Sequence, residues 1–476
     1  MAAVSLGGYL LASGQVYAVG FPLDDAWIHQ TYARNLAVRG EWAFAPGEPS
    51  AGSTAPLWSA LLAVGHWVGL APYGWTFLLG WLGLAGLGAA GWWGLRVLAP
   101  EQAGWAMGGA ALLVFEWHLV WAAGSGMETL AFALAVTLTL VWAAAGGGRP
   151  FWLGVLVGAA VWLRPDAVTL AGPLGMGILL GQGGWRGKGK AGLLAGVGLL
   201  AGVLPYLLFN RTVAGDWLPN TFFAKQAEYA ILRELPFAGR LGGQLGLTLV
   251  GAGAVLLPGA ILFGVRLWRE RRWGALAGGV WFLGYAGLYA WRLPVTYQHG
   301  RYLMPAMPIF FLWGLAGLAG WARLGAGQVW RRVLSRGWAA AALAVTAAFW
   351  GVGARAYALD AAVIETEMAA AARWVAAHTE ADAMVAAHDI GALGYFGGRR
   401  IVDLAGLVSP EVIPFMRDEA ALGDFITAQG AGYFVTFEGW YPELEDGLEV
   451  LFITKGEYSP LLGGGNMVVY RWGEDR

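Results

Sequence analysis

Leu23-Asp24-Asp25-Ala26-Trp27-Ile28 decides how this chain is read. Two adjacent carboxylates follow an apolar stretch, Val4 to Pro22, that is long enough to cross a bilayer. Ionisable side chains beside a membrane span are expensive to bury and mark functional positions. Downstream, Trp27, Ile28, Tyr32 and Leu36 recur at helical spacing, and Gly40 stops the pattern. The spacing predicts a short amphipathic helix over 25–38 at the membrane surface, with the acidic pair at its start. One Asp suffices as a helix cap. The second points to a general base or a metal ligand.

The composition sets the wider frame. The chain is 58% hydrophobic and 13% charged, with a mean hydropathy of +0.54, where a soluble domain carries roughly 25% charge. Apolar runs recur at 4–22, 75–95, 104–121, 127–145, 150–163, 167–182, 191–209, 242–265, 274–291, 302–320 and 337–354. Segment 55–71 is also apolar, but Pro56, His66 and Pro72 interrupt or bound it. If it does not cross, the basic clusters at Arg96, Arg149, Arg186 to Lys190, Arg266 to Arg272 and Arg323 to Arg336 share one side. The positive-inside rule makes that side cytoplasmic. The abundant glycine, 76 residues, suits close helix packing in lipid.

From 356 the composition changes. Charges become frequent and no run is long enough to span. Residues 361–378 read as a helix, and Met384–Ala387, Arg400–Val402, Tyr433–Phe437, Val450–Thr454 and Asn466–Arg471 read as strands. The expected fold class is therefore a polytopic α-helical membrane protein of about eleven transmembrane helices, with a C-terminal extracytoplasmic α/β domain. Residues 1–355 form the membrane domain, with an outer loop over 23–74, and 356–476 the soluble one.

Several classes fall away. A net charge of −1 makes no case for nucleic acid, and the absence of cysteine excludes disulfides, Cys-ligated zinc and thiol catalysis. The first apolar stretch lacks a basic n-region and a small-residue cleavage site, so it reads as a retained anchor. The six histidines lack zinc-ligand spacing. The Gly-rich segment 181–189 has Gly189 where a nucleotide loop needs Ser or Thr. No internal repeat is visible, which argues modestly against the alternative of a transporter or flippase for lipid-linked sugars.

On this topology the outer face collects Asp24 and Asp25, Ser125-Gly126-Met127-Glu128, Arg164-Pro165-Asp166, the loop 210–240 and Tyr297 to Arg301. Bland accounts exist for each: an acid at a helix N-terminus for Glu128, a local ion pair for Arg164 and Asp166, snorkelling cations for Lys225 and Arg301. Several cations converging on one face with a carboxylate pair look more like a phosphate site.

The motifs that carry a resemblance run in order along most of the chain. They are Asp24-Asp25-Ala-Trp-Ile with Tyr32 to Leu36, Pro46-Gly47-Glu48, Ser53 to Trp58, Ser125 to Thr129 and Leu163 to Asp166. Leu218 to Lys225, Gly300 to Pro305, Asp389 to Phe396 and Val402 to Leu407 complete the set. In these the chain resembles membrane glycosyltransferases of the GT-C fold that take sugars from polyprenyl-phosphate donors, most closely bacterial cell-wall arabinofuranosyltransferases. Protein mannosyltransferases and lipid A aminoarabinose transferases look more distantly similar and usually have Asp-Glu at the pair.

The resemblance implies inverting sugar transfer on the extracytoplasmic face to a hydroxyl of a glycan, lipid or protein acceptor. Asp24 matches the first acid of the family motif and is the expected base, with Asp25 the alternative. Lys225 and Arg301 are the expected phosphate-binding cations, with Arg164 and His299 behind them. Glu128, Asp166, Asn220 and Tyr302 are expected to orient substrate. In the outer domain Tyr395 and Trp440 are expected to stack on acceptor sugars. No cofactor is required, although Asp24, Asp25 and a phosphate can share a divalent cation such as Mg or Mn.

Overall fold

The computed structural model describes residues 1–146, 148–324 and 327–473. The chain is a multi-pass helical membrane protein that ends in a mixed α/β sheet domain. Among the described residues, five helices are long and apolar enough to span: Pro72–Leu98, Trp185–Ala214, Ala252–Arg269, Gln298–Arg323 and Val329–His378. A sixth forms if Pro100–Phe115 and Trp117–Gly124, bent by 52°, count as one.

This is fewer than the eleven expected, because apolar runs do not translate one for one into long straight helices. Glu116 breaks its run: its carboxylate accepts the Leu119 N–H and the His118 ring bond at the bend. Thr129–Ala144, Pro150–Val161 and Pro165–Leu180 are apolar but short. The first stretch is helical only over Ala2–Val16. Segment 55–71 contains the 12-residue helix Pro56–Trp67, well short of the roughly 20 residues a crossing takes.

The Asp25–Arg39 helix ends as expected at Gly40, whose φ of +71° closes the last turn. It is not a surface helix. Trp27, Ile28, Tyr32 and Ala33 are buried, and so are His29, Gln30, Thr31 and Asn35. Membrane helices cover it on one side and the α/β domain on the other, so nearly its whole circumference is enclosed.

Among the described residues there are seven strands: β1 Ala43–Ala45, β2 Glu48–Pro49, β3 Met384–Ala387, β4 Arg400–Asp403, β5 Tyr433–Phe437, β6 Glu449–Ile453 and β7 Met467–Arg471. β1 and β2 form a small hairpin in the outer loop. The other five make one sheet in the order β4-β3-β5-β7-β6, with β3 parallel to β4 and β5, and β7 antiparallel to β5 and β6. Side chains alternate across it. Val385, Ala387, Tyr433, Val435 and Val469 face a core shared with Met368–His378 and the membrane helices. Ala386, Phe434, Val468 and Tyr470 face a separate core closed by Leu422 and Ile426 of the helix Glu419–Ala428. The sheet thus sits between two helical layers, and one of its faces continues into the membrane bundle.

Candidate active site

The carboxylates of Asp24 and Asp25 point to different partners. Asp24 makes no cap bond to its own helix. Its two oxygens instead accept the backbone N–H groups of Gly391, at 2.7 Å, and Ala392, at 2.8 Å, in the α/β domain. Gly391 is required there, because a Cβ would collide with the Asp24 carbonyl and carboxylate. Burial first, and then the charge of Asp389, push Asp24 upward against the pull of those two N–H donors.

Asp25 faces a cavity of about 460 Å³ between the helix, the membrane bundle and the loop after Gly215. Its Oδ2 lies 2.6 Å from Arg301 Nη2 and 3.3 Å from Lys225 Nζ. Burial alone raises such a carboxyl, but the Lys225 and Arg301 charges outweigh it and hold Asp25 far below the usual carboxylate range. Arg301 is 4% exposed, and its Nε and Nη1 have no hydrogen-bond partner among the described residues. Buried donors without acceptors are costly and call for a ligand or water.

The opposite wall is a second ionic group. Arg164 Nη1 meets Glu128 Oε1 at 3.1 Å, and its Nε meets Asp166 Oδ1 at 3.2 Å. Tyr285 and Tyr289 each donate to Asp166 Oδ2 at 2.5 Å. His29 Nε2 lies 3.5 Å from Glu128 Oε2, and its Nδ1 reaches Ser59 Oγ at 2.9 Å and Ser53 Oγ at 3.2 Å. Between these polar walls the cavity is lined by Leu218, Phe222, Leu288, Trp291 and Leu293.

The expected residues therefore divide. Asp25, Lys225, Arg301, Arg164, Glu128, Asp166 and Tyr302 line one cavity. Asp24 does not; it ties the α/β domain to the membrane part. His299 pairs with Asp360 at 2.8 Å, beside Trp117 and Trp121, and is absent from the cavity wall. Asn220 is buried at the start of the helix Asn220–Glu228, next to the lining residues Thr221 and Phe222. Tyr395 packs on Trp27, with the Arg34 guanidinium 4.6 Å from its ring centre. Trp440 is 50% exposed and lies edge-on to His388. Neither aromatic lines the cavity; Leu407 is the domain's contribution to it.

Asp24 and Asp25 diverge, so they do not offer a shared metal position. Among the described residues no group of three or more His, Asp or Glu side chains is arranged to hold a metal ion.

His29, Ser53, Ser59, Tyr285 and Tyr289 were not expected at the site. The signal for His29 is its place four residues after Asp25, which puts both on one face of the helix. Tyr285 and Tyr289 have the same spacing.

The fold has known counterparts. The chain superposes on ArnT from Cupriavidus metallidurans bound to undecaprenyl phosphate, with a TM-score of 0.59 at 17% identity, over 98% of this chain and 96% of that one. It superposes on the oligosaccharyltransferase of Archaeoglobus fulgidus in the apo form with a TM-score of 0.62 at 11% identity, over 92% of this chain and 69% of that one. The chain has the GT-C fold. A similarity to the mycobacterial arabinofuranosyltransferase AftD has a TM-score of 0.49 and spans 40% of that chain, so the arabinofuranosyl part of the resemblance gains nothing from it. Residues 348–470 of this GT-C chain match a domain of unknown function, DUF8728. None of the curated proteins matches it.

Proposed function

We propose that this protein is a membrane glycosyltransferase that moves a sugar from a polyprenyl-phosphate donor to an acceptor hydroxyl. The observation that carries this reading is the juxtaposition of Asp25, Lys225 and Arg301, with orphaned Arg301 donors, at the mouth of an apolar cavity. A lipid-linked phosphate needs that combination: fixed cations for its charge and an apolar wall for its chain. The undecaprenyl phosphate in the ArnT structure is a ligand of this chemistry on the same fold.

In the proposed reaction Asp25, rather than Asp24, accepts the proton of the acceptor hydroxyl. That oxygen attacks the anomeric carbon, the bond from that carbon to the phosphate oxygen breaks, and polyprenyl phosphate leaves with the electron pair. A single displacement inverts the anomeric centre. Base assistance of this kind contributes about 10²–10⁴-fold. Asp25 is a feeble base while Lys225 and Arg301 grip it. A donor phosphate competes for both cations and so frees the carboxylate when substrate is present. Glu128, Arg164, Asp166 and Tyr302 orient the sugar.

We assign the site to the extracytoplasmic face. The basic residues gather at the far end of the bundle, where Arg272 donates to the Val97 and Leu98 carbonyls and Arg266 and Arg323 pair with Glu101. Tyr73, packed on Trp27, begins the 27-residue helix that ends at Leu98, a separation of about 40 Å at 1.5 Å per residue. The test is incubation of the purified protein with polyprenyl-phosphate sugars and glycan, lipid or peptide acceptors, read by mass spectrometry. Absence of any sugar adduct across arabinofuranose, mannose and aminoarabinose donors would overturn the reading.

A further inference from the structure

A second cavity, of about 480 Å³, lies where the end of the Asp25–Arg39 helix, the β1–β2 hairpin and the α/β domain meet. Arg34, Arg39, Arg399 and Arg400 line it, against one acidic residue, Glu48. None of its lining residues belongs to a helix able to span a membrane, so what it holds comes from the aqueous side.

Two of these cations, Arg34 and Arg399, are held in place without being neutralised. Arg34 donates to the Tyr395 carbonyl at 2.7 Å and the Gly394 carbonyl at 3.1 Å. Arg399 donates to the carbonyls of Ala376 and Thr379 and to the Thr379 hydroxyl. Neutral acceptors fix a guanidinium and leave its charge uncompensated. Arg39 is exposed on the last turn of its helix, with no carboxylate in ion-pair range among the described residues. Arg400 is paired, with Glu48 at 2.8 Å, and both partners are exposed. Burial presses Arg34 below its usual range; Tyr395 opposes the shift and the charge of Arg39 adds a smaller push in the same direction as burial.

We propose that this cavity is an anion-binding site for a saccharide bearing a phosphate ester or a carboxylate. Guanidinium forks match both groups with paired hydrogen bonds. Phe44, Pro46 and Ile401 supply apolar wall for a sugar ring, and the volume falls in the range of small-ligand sites, about 300–1,000 Å³. The site stands apart from the donor cavity and does not depend on the transfer reaction. An anionic glycan is the ligand class it fits.

The experiment is calorimetric titration of the purified full chain, its donor cavity first saturated with polyprenyl phosphate, with inorganic phosphate, glucose 6-phosphate, glucuronate and glucose. Saturable binding of the charged ligands but not of glucose is expected, falling with added salt. Arg39→Gln/Arg400→Gln should weaken it at least tenfold. Glu48→Gln should tighten it, because it removes the competing carboxylate, and this variant decides the matter if the double one does not fold. Whichever charged sugar binds more tightly names the anionic group. No saturable binding by the wild type, equal binding in the double variant, weaker binding in Glu48→Gln, or equal binding of glucose would overturn the proposal.

Discussion

Asp25 and Arg301 stand 276 positions apart in the chain and 2.6 Å apart in the fold. The outer loop and the Gln298–Arg323 helix are joined at this contact, and Lys225 shares the same carboxylate oxygen. Three distant segments meet on one atom, which makes each of them separately testable.

Asp25→Asn should lower turnover at least 100-fold, since it removes the proton acceptor while keeping the shape. Binding of polyprenyl phosphate should persist or tighten, because the amide no longer competes for the two cations. Turnover comes from mass spectrometry and binding from titration. Near-normal turnover would exclude Asp25 as the base.

Asp24→Asn should act on docking rather than chemistry. An amide accepts one of the two N–H groups and confronts the other with its own NH₂. Loss of a hydrogen bond of this kind costs about 0.5–1.5 kcal/mol. The expected readout is faster hydrogen exchange at Gly391 and Ala392, a lower Tm, and retained donor affinity. Unchanged exchange together with abolished transfer would return the catalytic role to Asp24.

Lys225→Met should weaken donor binding roughly tenfold or more, in line with about 1.5 kcal/mol or more for a hydrogen bond to a charged group. Part of that loss is offset, because Asp25 then competes only for Arg301. Wild-type affinity and rate would reduce Lys225 to an interfacial anchor.

The domain interface should loosen as pH rises. His388 Nδ1 bonds the Tyr441 hydroxyl at 2.7 Å, and its Nε2 lies 3.8 Å from Glu228 Oε1. Although burial opposes it, the Glu228 bond and the nearby acids Asp389, Glu228 and Asp403 raise His388 above its usual value. Asp403 is raised to about 6 by burial, against the pull of the Val408 and Ala405 N–H groups, and Asp24 is raised as well. A raised group binds more protons in the folded state, so its contribution is full below the unfolded value and fades as pH climbs through the folded one. Asp25 and Glu228 are lowered, and their contributions are lost only in acid. Tm should therefore fall from pH 6 to pH 8.5 through His388 and Asp24, the contribution of Asp403 being spent by about pH 6. A flat or rising profile would mean that these groups are not protonated more readily in the fold.

Much of this was legible in the residues. The five strands of the domain were readable because alternation and flanking turns mark them locally. That Asp24 and Asp25 matter was readable from their cost beside a membrane. Which of the two faces the cavity was not, because Asp24 is held on the other side by Gly391, 367 positions away. His299 and Trp440 carried the right chemistry for the site, but side-chain type says nothing about whether Asp360 or His388 is the neighbour. The bend at Glu116 was not legible, since hydropathy averages over a single acid. The arginine-lined cavity was invisible, because three separate segments build it.

The bond from Asp24 to Gly391 also sets a schedule. The carboxylate leaves the ribosome 367 residues ahead of Gly391. At about 5–20 residues per second the wait is roughly 20–70 s. Until then the first acid of the pair has only water or a surrogate to accept from, and the helix that aims Asp25 has no lid above it. A nascent chain thus holds the Asp25–Arg39 helix without its docking partner until Gly391 and Ala392 have been made.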